Sequence, residues 1–241
     1  MEKVLAILGG CGGIGRQLVR EALASEYTPI VFDLTRSIEM HPLEGVETHA
    51  IDASDPNDVT RAISGFSGKL HGFVNLCGFM TGDEPLLSRD TSQWHETISG
   101  NLDSAFFAAR AFAPKVAKGG AIVQVGSGLG HFARPGYGPY AIAKAGIAAM
   151  TRQMAIELAP DVRVNCVAPS AVDTSFLRGG TGRSNEDETV RLDLEAYASA
   201  IPLKRIAAPA DVTGPILFLL SENAAYMTGQ VLHVNGGAYM P

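Results

Sequence analysis

Ile7-Leu8-Gly9-Gly10-Cys11-Gly12-Gly13-Ile14-Gly15 places five glycines within seven residues, directly after the apolar run VLAIL at 4–8. Three phosphate-binding templates fit this stretch: Gly10-x-Gly12-x-x-Gly15, a GxxxGxG form through Gly9, Gly13 and Gly15, and Gly9-x-x-Gly12-x-x-Gly15. A strand, a tight glycine turn and a helix together aim unpaired N–H groups and a positive dipole end at a pyrophosphate. Glycine permits positive φ and lets the backbone approach the phosphates. A plain strand-to-helix turn has the same pattern, so the loop alone leaves the choice open. A P-loop is excluded, because Arg16 and Gln17 follow Gly15 where Lys and Ser/Thr would be needed.

Moving outward, Asp33 ends the next apolar run 18 residues after Gly15, near the ~20-residue spacing at which a carboxylate grips the adenosine ribose hydroxyls. A carboxylate there repels a 2′-phosphate, so NAD is expected over NADP. Arg36, three residues on, is the one feature that keeps NADP open.

Short β-branched runs then alternate with helical patterns along the chain, which predicts βαβ units and a parallel sheet. Strands are expected near 3–8, 29–33, 46–51, 71–77, 120–126, 162–168 and 229–234, and helices near 13–25, 56–65, 88–117, 138–158 and 209–221. Between Asp33 and Asp52 a loop or a single turn is expected. Residues 173–208 form the longest irregular stretch and read as a lid.

Bulk properties narrow the function. The chain has 241 residues, 46% of them hydrophobic and 18% charged, as in α/β enzymes. A net charge of −6 argues against a nucleic-acid surface. No apolar run reaches the ~18–20 residues of a membrane span. The three cysteines, 11, 77 and 166, are expected as free thiols in a reducing cytoplasm. His95-Glu96 begins an HExxH zinc motif, but Ser99 stands at the second ligand position, so no metal site is expected.

Tyr140-Ala-Ile-Ala-Lys144 lies near the start of a strong helical pattern. A spacing of four puts both side chains on one face. A phenol has a pKa near 10, too high for efficient proton transfer at neutrality, and a neighbouring ammonium is expected to lower it.

With these motifs in order, the sequence resembles the short-chain dehydrogenase/reductase family, in its non-extended branch of about 250 residues, over nearly its whole length. Leu8-Gly9-x-x-x-Gly13-Ile14-Gly15 matches that branch's TGxxxGIG, which selects the template. Ser127, thirteen residues before Tyr140, matches the catalytic serine, and Asn101 in ISGNLDSAF matches the catalytic asparagine. NLCG at 75–78 resembles NNAG, Asp52-Ala53 resembles the pair beside the adenine, and APSAVDT at 168–174 resembles PGxxxT. Leu8, Leu76 and Ser170 depart from the pattern, and Leu8 and Leu76 are expected to pack where a polar contact usually sits.

The resemblance implies one doubly wound Rossmann domain with a mostly parallel seven-stranded sheet and helices on both faces. It implies a hydride transfer between a nicotinamide and a carbinol carbon, with Tyr140 as acid/base. Lys144 would tune the phenol and hold the ribose, Ser127 would hold the substrate oxygen, and Asn101 would anchor a water next to Lys144. Gly9, Gly12, Gly13, Ile14, Gly15, Asp33, Asp52, Ala53, Asn75, Gly78, Tyr140, Lys144, Pro169, Val172 and Thr174 would line the cofactor. Gly100, poor inside a helix, fits a local kink. His131, Phe132 and Tyr137 should approach the pocket, with His131 as a loop histidine rather than a third catalytic group. Phe79, Met80, Phe176 and Leu177 would give it an apolar lining. A hydrophobic alcohol or ketone is the expected substrate.

A 3-oxoacyl-thioester reductase is the alternative. It would want a basic surface, to which Arg178, Arg183, Lys204 and Arg205 could contribute and which Glu186, Asp187 and Glu188 would dilute. A non-catalytic dinucleotide-binding protein would not need Ser127, Tyr140 and Lys144 together. The resemblance also implies a homotetramer or homodimer, pairing the apolar faces of 101–116 and 141–155, with the final residues GGAYMP able to reach a neighbouring subunit.

Overall fold

The first strand, β1 (Lys3–Leu8), alternates its side chains between two cores: Leu5 and Ile7 point one way, Ala6 and Leu8 the other. A strand buried on both faces belongs in the middle of a parallel sheet covered by helices. In the computed structural model, which describes residues 3–240 apart from 181, 184, 185, 187, 188 and 191, β1 pairs in parallel with β2 (Tyr27–Asp33) and β4 (Leu70–Asn75). With β3 (Glu47–Ala50), β5 (Val116–Val125), β6 (Arg163–Pro169) and β7 (Val231–Val234) the sheet has seven strands, every pairing parallel, in the order β3-β2-β1-β4-β5-β6-β7. The order reverses between β1 and β4, and ligands bind outside the carboxyl ends of strands at such a reversal.

Helices cover both faces. α1 (Gly13–Leu23) and α8 (Pro209–Leu220) bury Leu18, Val19, Val212, Ile216 and Leu219 on one side. On the other lie α3 (Pro56–Ser64), α5 (Ser104–Phe112) and α6 (Gly138–Leu158), where Phe112 stacks on Phe73 at 4.6 Å and meets Phe32 edge-on at 4.9 Å. α3 starts as its sequence dictates: the Asp55 carboxylate accepts the Asn57 N–H, and Pro56 takes the first-turn position that needs no donor.

Three elements differ from expectation. α2 (Thr35–Met40) exceeds the loop or single turn expected between Asp33 and Asp52, and the Asp33 carboxylate accepts the Leu34 N–H and the Ser37 hydroxyl at its start. The single helix expected over 88–117 is divided into α4 (Thr91–Ile98), a π-helical turn at Ser99–Asp103 and α5, so the kink expected at Gly100 takes the form of a π-turn. Within the expected lid, a 3₁₀ turn at Ser175–Arg178 and α7 (Leu194–Ala200) are regular. The Asp193 carboxylate caps α7 at the Ala196 N–H.

Leu8 and Leu76 are neighbours, the Leu76 N–H donating to the Leu8 carbonyl, but Leu8 enters one core while Leu76 packs against the other. All three cysteines are free. Among the described residues no helix is long and apolar enough to cross a membrane, and no histidine, cysteine and carboxylate group forms a metal cluster.

Candidate active site

Because all seven strands run the same way, the ends of β1, β2, β4, β5 and β6 open onto one cleft, with a volume of about 860 Å³. The glycine turn forms its floor. Gly9 adopts φ +84°, which a side chain disfavours, and a Cβ on Gly15 would run into the Gly9 carbonyl. The first-turn N–H groups of α1 lack intrahelical acceptors and open toward the cleft. At its edge, Asp33 Oδ2 accepts the Cys11 N–H at 2.8 Å and Oδ1 accepts the Leu34 N–H at 2.8 Å. Asp33 therefore shapes the glycine loop as well as facing the cleft. Burial pushes its carboxyl up, against the pull of these donors and of Arg16.

These residues fit a dinucleotide. The turn excludes side chains where phosphates would approach, and the Asp33 carboxylate, which accepts two backbone N–H groups and the Ser37 hydroxyl, still has acceptor capacity toward the cleft. Gly12, Gly13, Ile14, Asp52, Ala53, Gly78, Pro169, Val172 and Thr174 all line the same cleft. Thr174 covers the loop so closely that a Cβ on Gly13 would lie 2.6 Å from its methyl carbon.

At the opposite end, Ser127 follows β5, and Tyr140 and Lys144 sit one turn apart on the first turns of α6. All three are buried. The Ser127 hydroxyl lies within hydrogen-bonding reach of the Tyr140 phenol and accepts the Leu129 N–H at 3.2 Å. Lys144 Nζ lies 5.5 Å from the Tyr140 ring centroid and donates to the Cys77 carbonyl at 3.3 Å and the Val125 carbonyl at 3.1 Å. A Cβ on Gly78 would stand 2.8 Å from both Lys144 Nζ and Asn101 Oδ1, so this glycine keeps the wall thin between them.

The expected lowering of the Tyr140 pKa by Lys144 is not what governs this site. Burial dominates, pushing the phenol up to about 12 with Ser127 pulling back, and it takes the Lys144 ammonium down to about 8. A desolvated pocket disfavours both charged forms.

Two expected site residues do not face the cleft. Asn75 is buried behind it, its amide donating to Gln124 at 2.9 Å and its carbonyl accepting the Cys77 N–H at 3.0 Å. It therefore holds the strand end rather than a ligand. Asn101 is fully buried in the π-turn, donating to the Thr97 and Phe79 carbonyls at 2.8 and 3.0 Å. Its backbone carbonyl accepts the Ser104 hydroxyl at 3.2 Å. Phe132 and Tyr137 line the cleft, as do Phe79, Met80, Phe176 and Leu177. His131 does not: its ring packs edge-on against His233 at 4.6 Å.

Comparison with known proteins agrees with this geometry. Residues 10–239 match a family model described as enoyl-(acyl carrier protein) reductase. The chain is 30% identical to the 3-oxoacyl-[acyl-carrier-protein] reductase of Vibrio harveyi over 249 residues, covering 99% of this chain and 98% of the relative. A short-chain dehydrogenase/reductase from Brucella melitensis superposes with a TM-score of 0.88 at 28% identity, covering 100% of this chain and 98% of that one. The chain belongs to the short-chain dehydrogenase/reductase family. Another solved relative, ElxO with NADP bound, has a TM-score of 0.86 at 25% identity over 99% of both chains. As a short-chain dehydrogenase/reductase the protein is an oxidoreductase that binds a nicotinamide dinucleotide.

Sequence reasoning missed several contacts of this short-chain dehydrogenase/reductase. The Cys77 and Val125 carbonyls that hold Lys144 are backbone atoms and carry no residue signal. The 173–208 segment crosses to α2: Gly182 lies against Ser37, and the Glu186 carboxylate meets His41 Nε2 at 3.1 Å. The Arg183 guanidinium sits 3.8 Å above the Phe79 ring and 3.8 Å from Glu96. Only coordinates bring these distant residues together. Asp187 and Glu188, expected to dilute a basic surface, lie outside the described residues.

Proposed function

We propose that the protein is an NAD(H)-dependent oxidoreductase interconverting a secondary alcohol and a ketone, with Tyr140 as the acid/base. The single observation behind this is the convergence of the Ser127 hydroxyl, the Tyr140 phenol and the Lys144 ammonium at one buried end of a cleft whose other end carries Asp33. One domain, 1–241, would hold both cofactor and catalytic groups, with 173–208 as the substrate lid.

When bound, the cofactor would supply or accept the hydride at the carbinol carbon. Tyr140 Oη would exchange the proton on the substrate oxygen, while Ser127 Oγ hydrogen-bonds that oxygen and stabilises developing charge. The buried phenol, protonated at neutral pH, can donate its proton to a ketone oxygen as that oxygen gains charge. Lys144, with two N–H groups spent on carbonyls, keeps the third for the nicotinamide ribose. Asn101 would position rather than react, bracing Phe79 behind Lys144. The Asp33 carboxylate supports NAD over NADP by repelling a 2′-phosphate. Phe79, Met80, Phe176 and Leu177 support a hydrophobic substrate.

The names of the relatives favour a second reading, reduction of a 3-oxoacyl thioester. The basic residues expected to serve a carrier protein are occupied: Arg205 pairs with Asp211, Lys204 with the Ser199 carbonyl, Arg178 with Asp173 and Arg183 with Glu96. Exposed Phe106, Ile142 and Ile156 on α5 and α6 support assembly into a homodimer or homotetramer through those helices.

Tyr140→Phe tests the function. It should lower turnover of an accepted ketone by roughly 10²–10⁴-fold while NADH still binds, as read by cofactor absorbance and by NADH fluorescence. A Phe variant that keeps most of its rate would sink the acid/base role.

A further inference from the structure

Arg134 lies in the loop between Ser127 and Tyr140 and lines the same cleft. Its guanidinium carbon stands 5.6 Å from the Phe132 ring centroid and 5.4 Å from that of Tyr197 on α7. Phe132 packs against Gly128, next to Ser127, and its other neighbour is the Tyr239 ring at 5.0 Å. The arginine, itself exposed, therefore stands where the serine loop meets the lid, at the catalytic end of the cleft.

The other arginines on this wall each have a carboxylate within ion-pairing distance: Arg178 has Asp173 at 3.9 Å and Arg183 has Glu96 at 3.8 Å. Among the described residues Arg134 has no carboxylate within ion-pairing distance and donates no hydrogen bond. Asp193, which lines the same wall, spends a carboxylate oxygen on the Ala196 N–H. Both rings lie within cation–π reach of the guanidinium and neither takes a hydrogen bond from it, so its N–H fork remains free to meet an oxyanion bidentately.

We infer that Arg134 anchors an anionic group, a carboxylate or a phosphate, carried by the substrate at a distance from its carbonyl. This rests on the ketone–alcohol reading above. It turns a plain hydrophobic substrate into an amphiphilic one: an apolar body against Phe79 and Leu177, and a charged end at Arg134. The anchor acts far from the reacting carbon, so it should lower KM and leave kcat nearly unchanged.

The test compares NADH-dependent reduction of oxo-carboxylic acids, with four to eight carbons between ketone and carboxylate, against their methyl esters. A second pair, acetoacetyl-coenzyme A and its phosphate-free N-acetylcysteamine thioester, distinguishes phosphate from carboxylate as the source of charge. In one pair or the other the charged member should be favoured about tenfold in kcat/KM, mainly through KM, as a charge-assisted bidentate contact implies. Arg134→Gln should abolish that preference, Arg134→Lys should keep part of it, and Tyr197→Leu should weaken it less than Arg134→Gln does.

Equal use of charged and neutral members by the wild type would overturn the inference while leaving the oxidoreductase reading intact. So would a preference that survives Arg134→Gln. Equal losses in Arg134→Gln and Tyr197→Leu would make the arginine a lid latch only. If NADH binds and none of these carbonyl compounds is reduced, the ketone reading and this inference fall together.

Discussion

Lys144 is a buried cation with no carboxylate beside it among the described residues, held instead by two backbone carbonyls. Its pKa is taken down by burial to about 8 from the ordinary 10.5. Between those values the unfolded chain binds more protons than the folded one, so stability should rise with pH through that window. Relative to Lys144→Met, the cofactor-free wild type should gain about 1–2 kcal/mol from pH 7.5 to 9.5, measured by chemical unfolding of both. Equal pH slopes would refute the burial account. Tyr140 carries the opposite sign, since its phenol stays protonated to about 12 and costs stability as pH rises beyond 10. At this scale the sequence revealed which residues meet, through the spacing of Ser127, Tyr140 and Lys144. It misjudged which force governs the phenol, because desolvation depends on how much surrounding chain excludes water.

The glycine turn and the π-turn show how far an element is written locally. Gly9 and Gly15 read as a phosphate turn because the positive φ and the close backbone approach each need a hydrogen in place of a side chain. Gly15→Ala should keep the fold by circular dichroism. It should weaken NADH binding roughly tenfold or more, since displaced N–H donors forfeit at least about 1.4 kcal/mol. Fluorescence titration would settle this, and unchanged affinity would mean the turn tolerates a methyl group. The break in the long helix was legible at Gly100, but its π-helical form was not. That form depends on Asn101 turning its amide to the Phe79 and Thr97 carbonyls, a contact with a segment 22 residues earlier. α2 was underestimated for a similar reason: Asp33, read as a ligand-facing carboxylate, also holds the Leu34 N–H and the Ser37 hydroxyl.

Across the whole molecule, the cleft joins residues from the glycine turn to the 173–208 segment, so a ligand that fills it ties the sheet, α6 and that segment together. NADH at about 100 times its dissociation constant should stabilise the fold by about 2.7 kcal/mol. That corresponds to a rise in Tm of roughly 5–10 °C for a chain of this size, read by thermal shift. If Asp33 repels a 2′-phosphate as proposed, NADPH at the same concentration should give a smaller rise, and an equal or larger rise would reverse that proposal. The sequence by itself determined the alternation of strands and helices, the parallel sheet, the glycine turn and the serine–tyrosine–lysine spacing. These are short-range patterns set by backbone sterics, by periodic burial and by reach along a single helix. The tertiary structure alone decided that Asn75 and Asn101 stand behind the cleft wall, that the 173–208 segment reaches α2 through His41 and Glu186, and that Arg134 lies near two rings with no counter-ion among the described residues. Each of those depends on residues far apart in the chain meeting in a solvent-poor space, and neither their distances nor the water they exclude is encoded in any local window.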